Sequence, residues 1–68
     1  MNNTEIEQIE VDLILEAIHQ RYGYEFQEYS RASMRRRILH HLAKTEYERV
    51  SDLIPDILHN PKTFEALF

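Results

Sequence analysis

Apolar residues recur every three or four positions along most of this chain. Few residues interrupt the pattern, since the chain contains only one glycine and two prolines. A recurrence of three to four residues matches the turn of an α-helix and puts the apolar side chains on one side of it. Breaks in the pattern divide the 68 residues into segments of helical length. The pattern therefore predicts one all-α domain over residues 1–68, a small bundle of about four short helices.

The first helix is predicted over about residues 5–21. Thr4 and Glu7 have the spacing of a capping box, in which each side chain accepts a hydrogen bond from the other residue's backbone N–H. Gly23 is predicted to end the helix, because glycine readily adopts the left-handed conformation found just past helix ends. The apolar stripe is wide enough for the helix to be covered on two sides. Its predicted members are Ile6, Ile9, Leu13, Ile14, Ala17 and Ile18, widened by Val11 and Leu15.

Residues 24–29 alternate aromatic with polar side chains, as extended chain often does. A lone strand would have no partner, so the segment is interpreted as an extended linker that pins Phe26 and Tyr29 into the core. Ser30 is the predicted N-cap of a second helix that runs to about Lys44. The apolar side of this helix is predicted to consist of Met34, Ile38 and Leu42, with Leu39 at its border.

A third helix is predicted to begin at Ser51 or a neighbouring residue, which places Pro55 in the first turn, where its missing N–H costs little. The buried side of this helix is predicted to consist of Val50, Leu53, Ile54, Ile57 and Leu58. Asn60 and Pro61 form a cap followed by proline at the first helical position, so a fourth helix is predicted to start there. The apolar residues of the fourth helix are Phe64, Leu67 and Phe68.

Charge is distributed unevenly along the chain. The net charge is -4, yet residues 31–45 carry five basic residues and no acidic one, whereas residues 1–30 sum to -6 and residues 46–68 to -3. An ordinary solvated helix surface often pairs acids and bases four residues apart, and this segment cannot do so. The segregation therefore predicts an acidic binding partner. The candidate partner-binding residues are Arg31, Arg35, Arg36, Arg37, His40, His41 and Lys44.

The arc of the second helix opposite its apolar side is predicted to hold Ser33, Arg36, Arg37, His40, His41 and Lys44. Arg31 and Arg35 are predicted nearer the apolar side, with stems that cover core atoms and charged heads that reach outward. Because histidine titrates near neutrality, protonation of His40 and His41 would raise the charge of residues 31–45 from +5 to +7. Affinity for an acidic partner is predicted to rise as pH falls from about 8 to about 6, and to drop with salt.

Nothing in the sequence predicts a catalytic, cofactor-binding or metal site in this chain. There is no cysteine and no glycine-rich loop that could hold a phosphate group. His40 and His41 are adjacent, so on a helix they point about 100° apart and cannot share a metal ion. A nucleic-acid-binding helix is disfavoured by the net charge of -4.

The sequence predicts a cytoplasmic protein without membrane insertion. No apolar run approaches the roughly 20 residues that cross a bilayer. The first residues, Met1 to Glu5, lack the basic start and apolar centre of a signal peptide.

Several groups of residues, taken in order, resemble a known family. The groups are Tyr22-Gly23-Tyr24-Glu25-Phe26, Tyr29-Ser30-Arg31, Arg37-Ile38-Leu39-His40-His41-Leu42, and the apolar set Val50, Leu53 and Ile57. Their order and spacing resemble the N-terminal all-helical domain of CheR-type chemotaxis protein methyltransferases. The resemblance extends from about Ile6 to the end of the chain.

The resemblance implies a fold and a function. In the family, a larger domain downstream binds S-adenosylmethionine and methylates glutamate side chains of chemoreceptors, and the basic second helix faces the receptor's acidic methylation region. Carried over, Arg37, His40 and His41 occupy receptor-facing positions, and Arg31 matches the second member of a basic pair. The chain itself is then expected to be catalytically silent, with the catalytic domain of the parent protein expected beyond Phe68.

Some positions depart from the family pattern. Ser30 stands in place of lysine, the pair His40-His41 in place of two arginines, Ala43 in place of a base that some members carry, and Glu46 in place of glycine. The consecutive arginines Arg35-Arg36-Arg37 can compensate for the lost charge. The departures keep an alternative open, in which the chain is a stand-alone regulatory module that binds another acidic signalling adaptor.

Overall fold

The computed structural model describes residues 1–26 and 29–68. Within those residues the chain forms helices joined by short connections, which confirms the predicted all-α bundle. The third helix is preceded without a break by one turn of 3₁₀-helix. The elements are α1 (Asn3–Tyr22), α2 (Arg31–Ala43), the 3₁₀ turn Val50–Leu53, α3 (Ile54–His59) and α4 (Pro61–Leu67).

The start of α1 lies two residues before the predicted one, because Asn2 caps the helix. The Asn2 side chain accepts a hydrogen bond from the Glu5 N–H at 2.8 Å, and the Glu5 carboxylate accepts one from the Asn2 N–H at 3.4 Å. The predicted capping box of Thr4 and Glu7 is therefore wrong. Asparagine caps helices at least as well as threonine, and the Glu7 carboxylate is held instead by Arg35 on α2.

Gly23 ends α1 as predicted, with a φ of 70° in the left-handed region that suits glycine. The last turn of α1 is also bound to the end of α3. Arg21 Nε donates to the Leu58 carbonyl at 3.0 Å, and the Tyr22 hydroxyl donates to the Ile57 carbonyl at 2.5 Å. Both bonds satisfy carbonyl groups that a helix end leaves without an intrahelical partner.

The core lies between α1 and the other helices. Its buried side chains are Val11, Ile14, Ile18, Met34, Ile38, Val50, Leu53, Ile57 and Leu67. The predicted stripe of α1 is only partly right: Ile14 and Ile18 are buried, whereas Ile6, Ile9 and Leu13 are 43, 46 and 53% exposed. Apolar residues surround more of α1 than its short neighbours cover, so part of the stripe stays in contact with solvent.

The other caps agree with the prediction. The Ser30 side chain accepts from the Ser33 N–H at 3.0 Å at the start of α2. The Asn60 side chain accepts from the Lys62 N–H at 3.1 Å at the start of α4. Pro55 lies in the first turn of α3, where its ring interrupts no helical hydrogen bond. Predicted core positions that are only half-buried are Leu39, Leu42, Ile54 and Leu58.

The 3₁₀ turn begins at Val50, next to the predicted Ser51, and two carboxylates bind the N–H groups at its start. Asp52 accepts from the Arg49 N–H at 3.0 Å, and Glu10, which belongs to α1, accepts from the Ser51 N–H at 2.8 Å. The first of these bonds is local. The second fixes the turn against the middle of α1, so the third helix is positioned by the first.

The linker between α1 and α2 brings aromatic side chains to one end of the bundle. Phe26 is half-buried and packs against the core, as predicted, but Tyr29, predicted in the core, is 43% exposed. The Tyr29 hydroxyl lies 3.0 Å from that of Tyr24, because a tyrosine at the core edge keeps its polar tip where hydrogen bonds are available. Gln27 and Glu28, also part of the predicted linker, lie outside the described residues.

Candidate protein-interaction surface

The outer side of α2 carries most of the candidate partner-binding residues. Arg36, Arg37, His40 and Lys44 are exposed, and His41 beside them is half-buried. Arg36 and His40 are one turn apart, and Arg37 and Lys44 are two turns apart, so their cationic groups follow the helix axis. None of them is ion-paired with a carboxylate of residues 1–26 or 29–68. These five residues are together called the basic surface of α2.

Arg31 and Arg35 lie on the side of α2 that faces α1, and each meets a carboxylate there. The Arg31 guanidinium is 2.5 Å from the Asp12 carboxylate, with side chains 66% and 44% exposed. Arg35 pairs with Glu7, with side chains 35% and 31% exposed. Ion pairs this open to water contribute up to about 1 kcal/mol each, and the more exposed pair contributes less. Both pairs join α2 to α1 and leave these two arginines less available to a partner.

Helix geometry explains this division. Arg31 and Arg35 are four residues apart and share one side of α2, whereas Arg36 and Arg37 point about 100° and 200° further round the axis. The basic residues of α2 thus attach it to α1 through Arg31 and Arg35 and still leave Arg36 and Arg37 on the exposed surface. The pairs could not be foreseen from the pattern of residues, since they depend on where α1 places its carboxylates.

A groove of about 750 Å³ lies beside the basic surface of α2, between that helix and the first half of α1. Its lining includes Arg36 together with apolar Ala32 and Leu39 from α2, and polar Thr4 and Gln8 from α1. A helix that rests against the basic surface can place small or apolar side chains in this groove. The groove therefore allows selection among acidic partners by shape, which attraction between charges alone would not provide.

The sequence interpretation missed an aromatic cluster where the linker, α1 and α4 meet. Tyr22 stacks on Phe64 with ring centroids 4.4 Å apart. Tyr24 contacts Phe26 and Phe68, with centroids 4.9 and 6.0 Å away. The sequence could have indicated this cluster only through the number of aromatic residues in the linker and in the last helix. The fold is what brings the two groups together.

The phenol of Tyr24 lies in this cluster, 3.0 Å from the Tyr29 hydroxyl. Its hydrogen bond with the Tyr29 hydroxyl raises the pKa of Tyr24 above its ordinary value, and burial adds to the rise. The positive charge of Arg37 opposes the rise.

The described residues show no cluster of metal ligands and no glycine turn that closely approaches a ligand. Within residues 1–26 and 29–68, no three histidine, cysteine, aspartate or glutamate side chains are grouped so that they could hold a metal ion. A cofactor cradle would need backbone that approaches the ligand closely. Gly23 does not supply one, since it closes α1 and a Cβ there would meet nothing within 4 Å. No chemical step is therefore assigned to this part of the protein.

None of the described helices is both long enough and apolar enough to cross a membrane.

An all-α bundle of this size, with one strongly basic helix, agrees with the family suggested by the sequence. Residues 9–68 match the family described as "CheR methyltransferase, all-alpha domain". The chain therefore belongs to the CheR methyltransferase family, and it corresponds to the all-alpha domain of that family.

One curated relative is a protein of Pseudomonas putida (strain KT2440) named "Putative methyltransferase Cher3", which is 46% identical over 59 residues. Those residues cover 87% of this chain and 22% of the relative, so the chain spans about a fifth of the relative's length. No solved structure matches the chain significantly.

Proposed function

We propose that this chain is the substrate-recognition domain of a chemoreceptor glutamate methyltransferase, and that the basic surface of α2 docks on the acidic, helical methylation region of the receptor. One observation carries the proposal. Arg36, Arg37, His40 and Lys44 project from the outer side of α2, while the two arginines nearer α1 are already paired within the domain.

The spacing of these cations favours a helical partner. From Arg36 to Lys44, α2 rises by about 12 Å, at about 1.5 Å per residue. A partner helix with carboxylates every three or four residues repeats acidic groups at a similar interval. Complementary charge of this kind speeds association and fixes register more than it adds raw affinity. The groove beside Arg36 can then select among acidic helices by the shape of their small or apolar side chains.

We further propose that the full-length protein is an S-adenosylmethionine-dependent protein-glutamate O-methyltransferase that acts in the cytoplasm, where the receptor helices lie. The name of the Pseudomonas putida relative supports this, as does the small share of that protein to which the chain corresponds. The catalytic domain would lie outside residues 1–68 and would also contact this domain. Residues 1–68 alone are expected to show no thermal shift with S-adenosylmethionine.

The binding proposal is tested with two variants that remove equal charge. A synthetic acidic methylation-helix peptide is titrated into the 68-residue chain, and the dissociation constant is measured by fluorescence anisotropy. Arg36→Gln with Arg37→Gln is expected to weaken binding roughly tenfold, since each exposed pair contributes up to about 1 kcal/mol and 1.4 kcal/mol is tenfold. Its melting temperature should not change.

Arg31→Gln with Arg35→Gln is the matched control. It should lower the melting temperature, because it breaks both ion pairs with α1, and weaken peptide binding by much less. Equal losses of affinity in the two variants would mean that only net charge matters, and would overturn the assignment of the basic surface. If the peptide does not bind at all but an acidic signalling adaptor does, the chain is a regulatory module instead.

A further inference from the structure

α1 carries a second surface that is apolar and yet open to solvent. Ile6, Ile9 and Leu13 are 43, 46 and 53% exposed, and half-buried Ala17 continues the row. Helical spacing aligns the four residues over about 16 Å. Single exposed apolar side chains are ordinary, but a contiguous row of them marks an interaction site. These four residues are called the α1 apolar strip.

The α1 apolar strip and the basic surface of α2 lie on different sides of the bundle. Asp12 points toward α2, where it pairs with Arg31. Leu13 is the next residue and so points about 100° away from Asp12. It faces the side on which α3 ends, since Leu58 shares a groove with it. A partner on one surface therefore leaves the other surface accessible.

The strip is bordered by grooves that can receive side chains. Leu13, Ala17 and Leu58 line a groove of about 420 Å³. Leu13 also lines a second groove of about 700 Å³, together with Ile6 and Leu42. Leucine side chains on a partner helix, spaced three and four residues apart, would fit such openings on both sides of Leu13.

Charge around the strip points to one kind of occupant. Residues 5–16 of α1 contain five carboxylates and no basic residue, and Glu10, Glu16 and Glu48 line the two grooves. Two arginines also line the grooves, Arg21 in the smaller one and Arg49 in the larger one. Arg21 is turned toward α3 by its hydrogen bond to a carbonyl there, and Arg49 is outnumbered by the carboxylates of its groove. A second copy of α1 would bring like charges together on this surface. A helix whose apolar side is flanked by lysine or arginine would instead meet opposite charges.

We propose that the α1 apolar strip is a second docking site, and that it binds an amphipathic protein helix whose apolar side is flanked by basic residues. This site is independent of the receptor-docking role proposed for α2, so each can fail without the other. A domain with both sites can hold an acidic helix and a basic amphipathic helix at the same time.

The test uses a designed amphipathic helical peptide with a row of leucines flanked by lysines. Its binding to the 68-residue chain is measured by fluorescence anisotropy, beside a peptide with glutamates in place of the lysines. The lysine peptide should bind and the glutamate peptide should not. Ile9→Gln with Leu13→Gln should weaken binding at least about tenfold, as loss of central apolar contacts does. Because Ile9 and Leu13 are about half exposed, the melting temperature of this variant should not change.

Arg36→Gln with Arg37→Gln is the control that separates the two sites, and it should bind the lysine peptide at least as well as the unchanged chain. Equal binding to the Ile9 and Leu13 variant would show attraction by charge alone and would overturn the proposal. No binding of the lysine peptide would overturn it as well. So would self-association of the unchanged chain that disappears in that variant, because a second copy would then cover the strip.

Discussion

The Tyr47 hydroxyl donates a hydrogen bond to the Asp56 carboxylate at 2.8 Å. This bond, together with the negative charge of Asp56, raises the pKa of Tyr47 above its ordinary value of 10.0. A raised pKa in the folded state means that folding favours the protonated phenol. The resulting stabilisation is complete below the unfolded pKa and is lost as pH rises through the folded pKa.

We expect Tyr47→Phe to lower the melting temperature slightly at about pH 8, where the hydrogen bond is present. Above about pH 10, the ordinary pKa of tyrosine, the unchanged chain should lose stability more steeply than the variant, since only the former has this phenol to ionise next to a carboxylate. Thermal melts followed by circular dichroism at several pH values measure the difference. Parallel pH profiles for the two proteins would contradict the expectation.

Caps were predictable from sequence where local chemistry decides them. Gly23, through its backbone conformation, and Ser30 and Asn60, through their side chains, each act within a few residues of their own position, so residue type was sufficient to place a helix end. Thr4 and Glu7 had the same kind of local signal, but the capping box predicted from it does not form. Arg35, which is distant in sequence, takes the Glu7 carboxylate, and tertiary contacts of this kind are not visible in a local pattern.

Among the elements, α1 organises the others. It packs against α2, the 3₁₀ turn and α3, and its Glu10 carboxylate accepts a hydrogen bond from the Ser51 N–H at the start of the 3₁₀ turn. A carboxylate at the start of a helix is favourable both as a hydrogen-bond acceptor and as a charge near the positive end of the helix dipole. The turn depends on this contact because its own Asp52 carboxylate binds the Arg49 N–H, and the Ser51 N–H is bound by Glu10.

We expect Glu10→Ala to lower the free energy of unfolding by about 1 kcal/mol, the usual cost of losing a cap. The matched control is Glu16→Ala on the same helix. The Glu16 carboxylate accepts from the Gln20 side chain at the exposed surface, so its loss should cost less than about 0.5 kcal/mol. Urea denaturation followed by far-ultraviolet circular dichroism measures both. Equal costs for the two variants would show that Glu10 does not cap the turn.

Periodicity predicted where the helices lie, but not which apolar residues each helix buries. Leu13 and Ile14 are consecutive apolar residues of one predicted stripe, and the structure exposes the first and buries the second. The choice depends on where neighbouring helices pack. The candidate surface shows the same limit, since the exposure of Arg36 and Arg37 followed from helical spacing while the pairing of Arg31 and Arg35 with α1 was not foreseen.

At the scale of the whole molecule, opposite charges are carried on different helices. α1 is acidic between residues 5 and 16, and α2 is basic, so the small domain is strongly polarised despite a modest net charge of -4. A domain of this size buries only about 60% of the surface of its unfolded chain and is marginally stable. Much of its surface is thus left for binding, with partners of either charge meeting different sides of the bundle.

The histidines on the basic surface of α2 predict that binding depends on pH. We expect the acidic peptide to bind more tightly at about pH 6 than at about pH 8. Histidine as a residue type gains a proton near neutrality, and His40 and half-buried His41 both belong to the basic surface of α2. His40→Gln with His41→Gln should remove the dependence. Dissociation constants measured at constant ionic strength check this, and equal affinities at both pH values for the unchanged chain would contradict it.

The stacking of Tyr22 on Phe64 has a practical consequence. The chain contains no tryptophan, and the two rings are nearly parallel, with an interplanar angle of 9°. A tyrosine fixed in such a setting gives a near-ultraviolet dichroic band, which disappears when side-chain packing loosens even if helical content persists. The attachment of the short C-terminal helix to the first helix can therefore be followed optically, without any introduced chromophore.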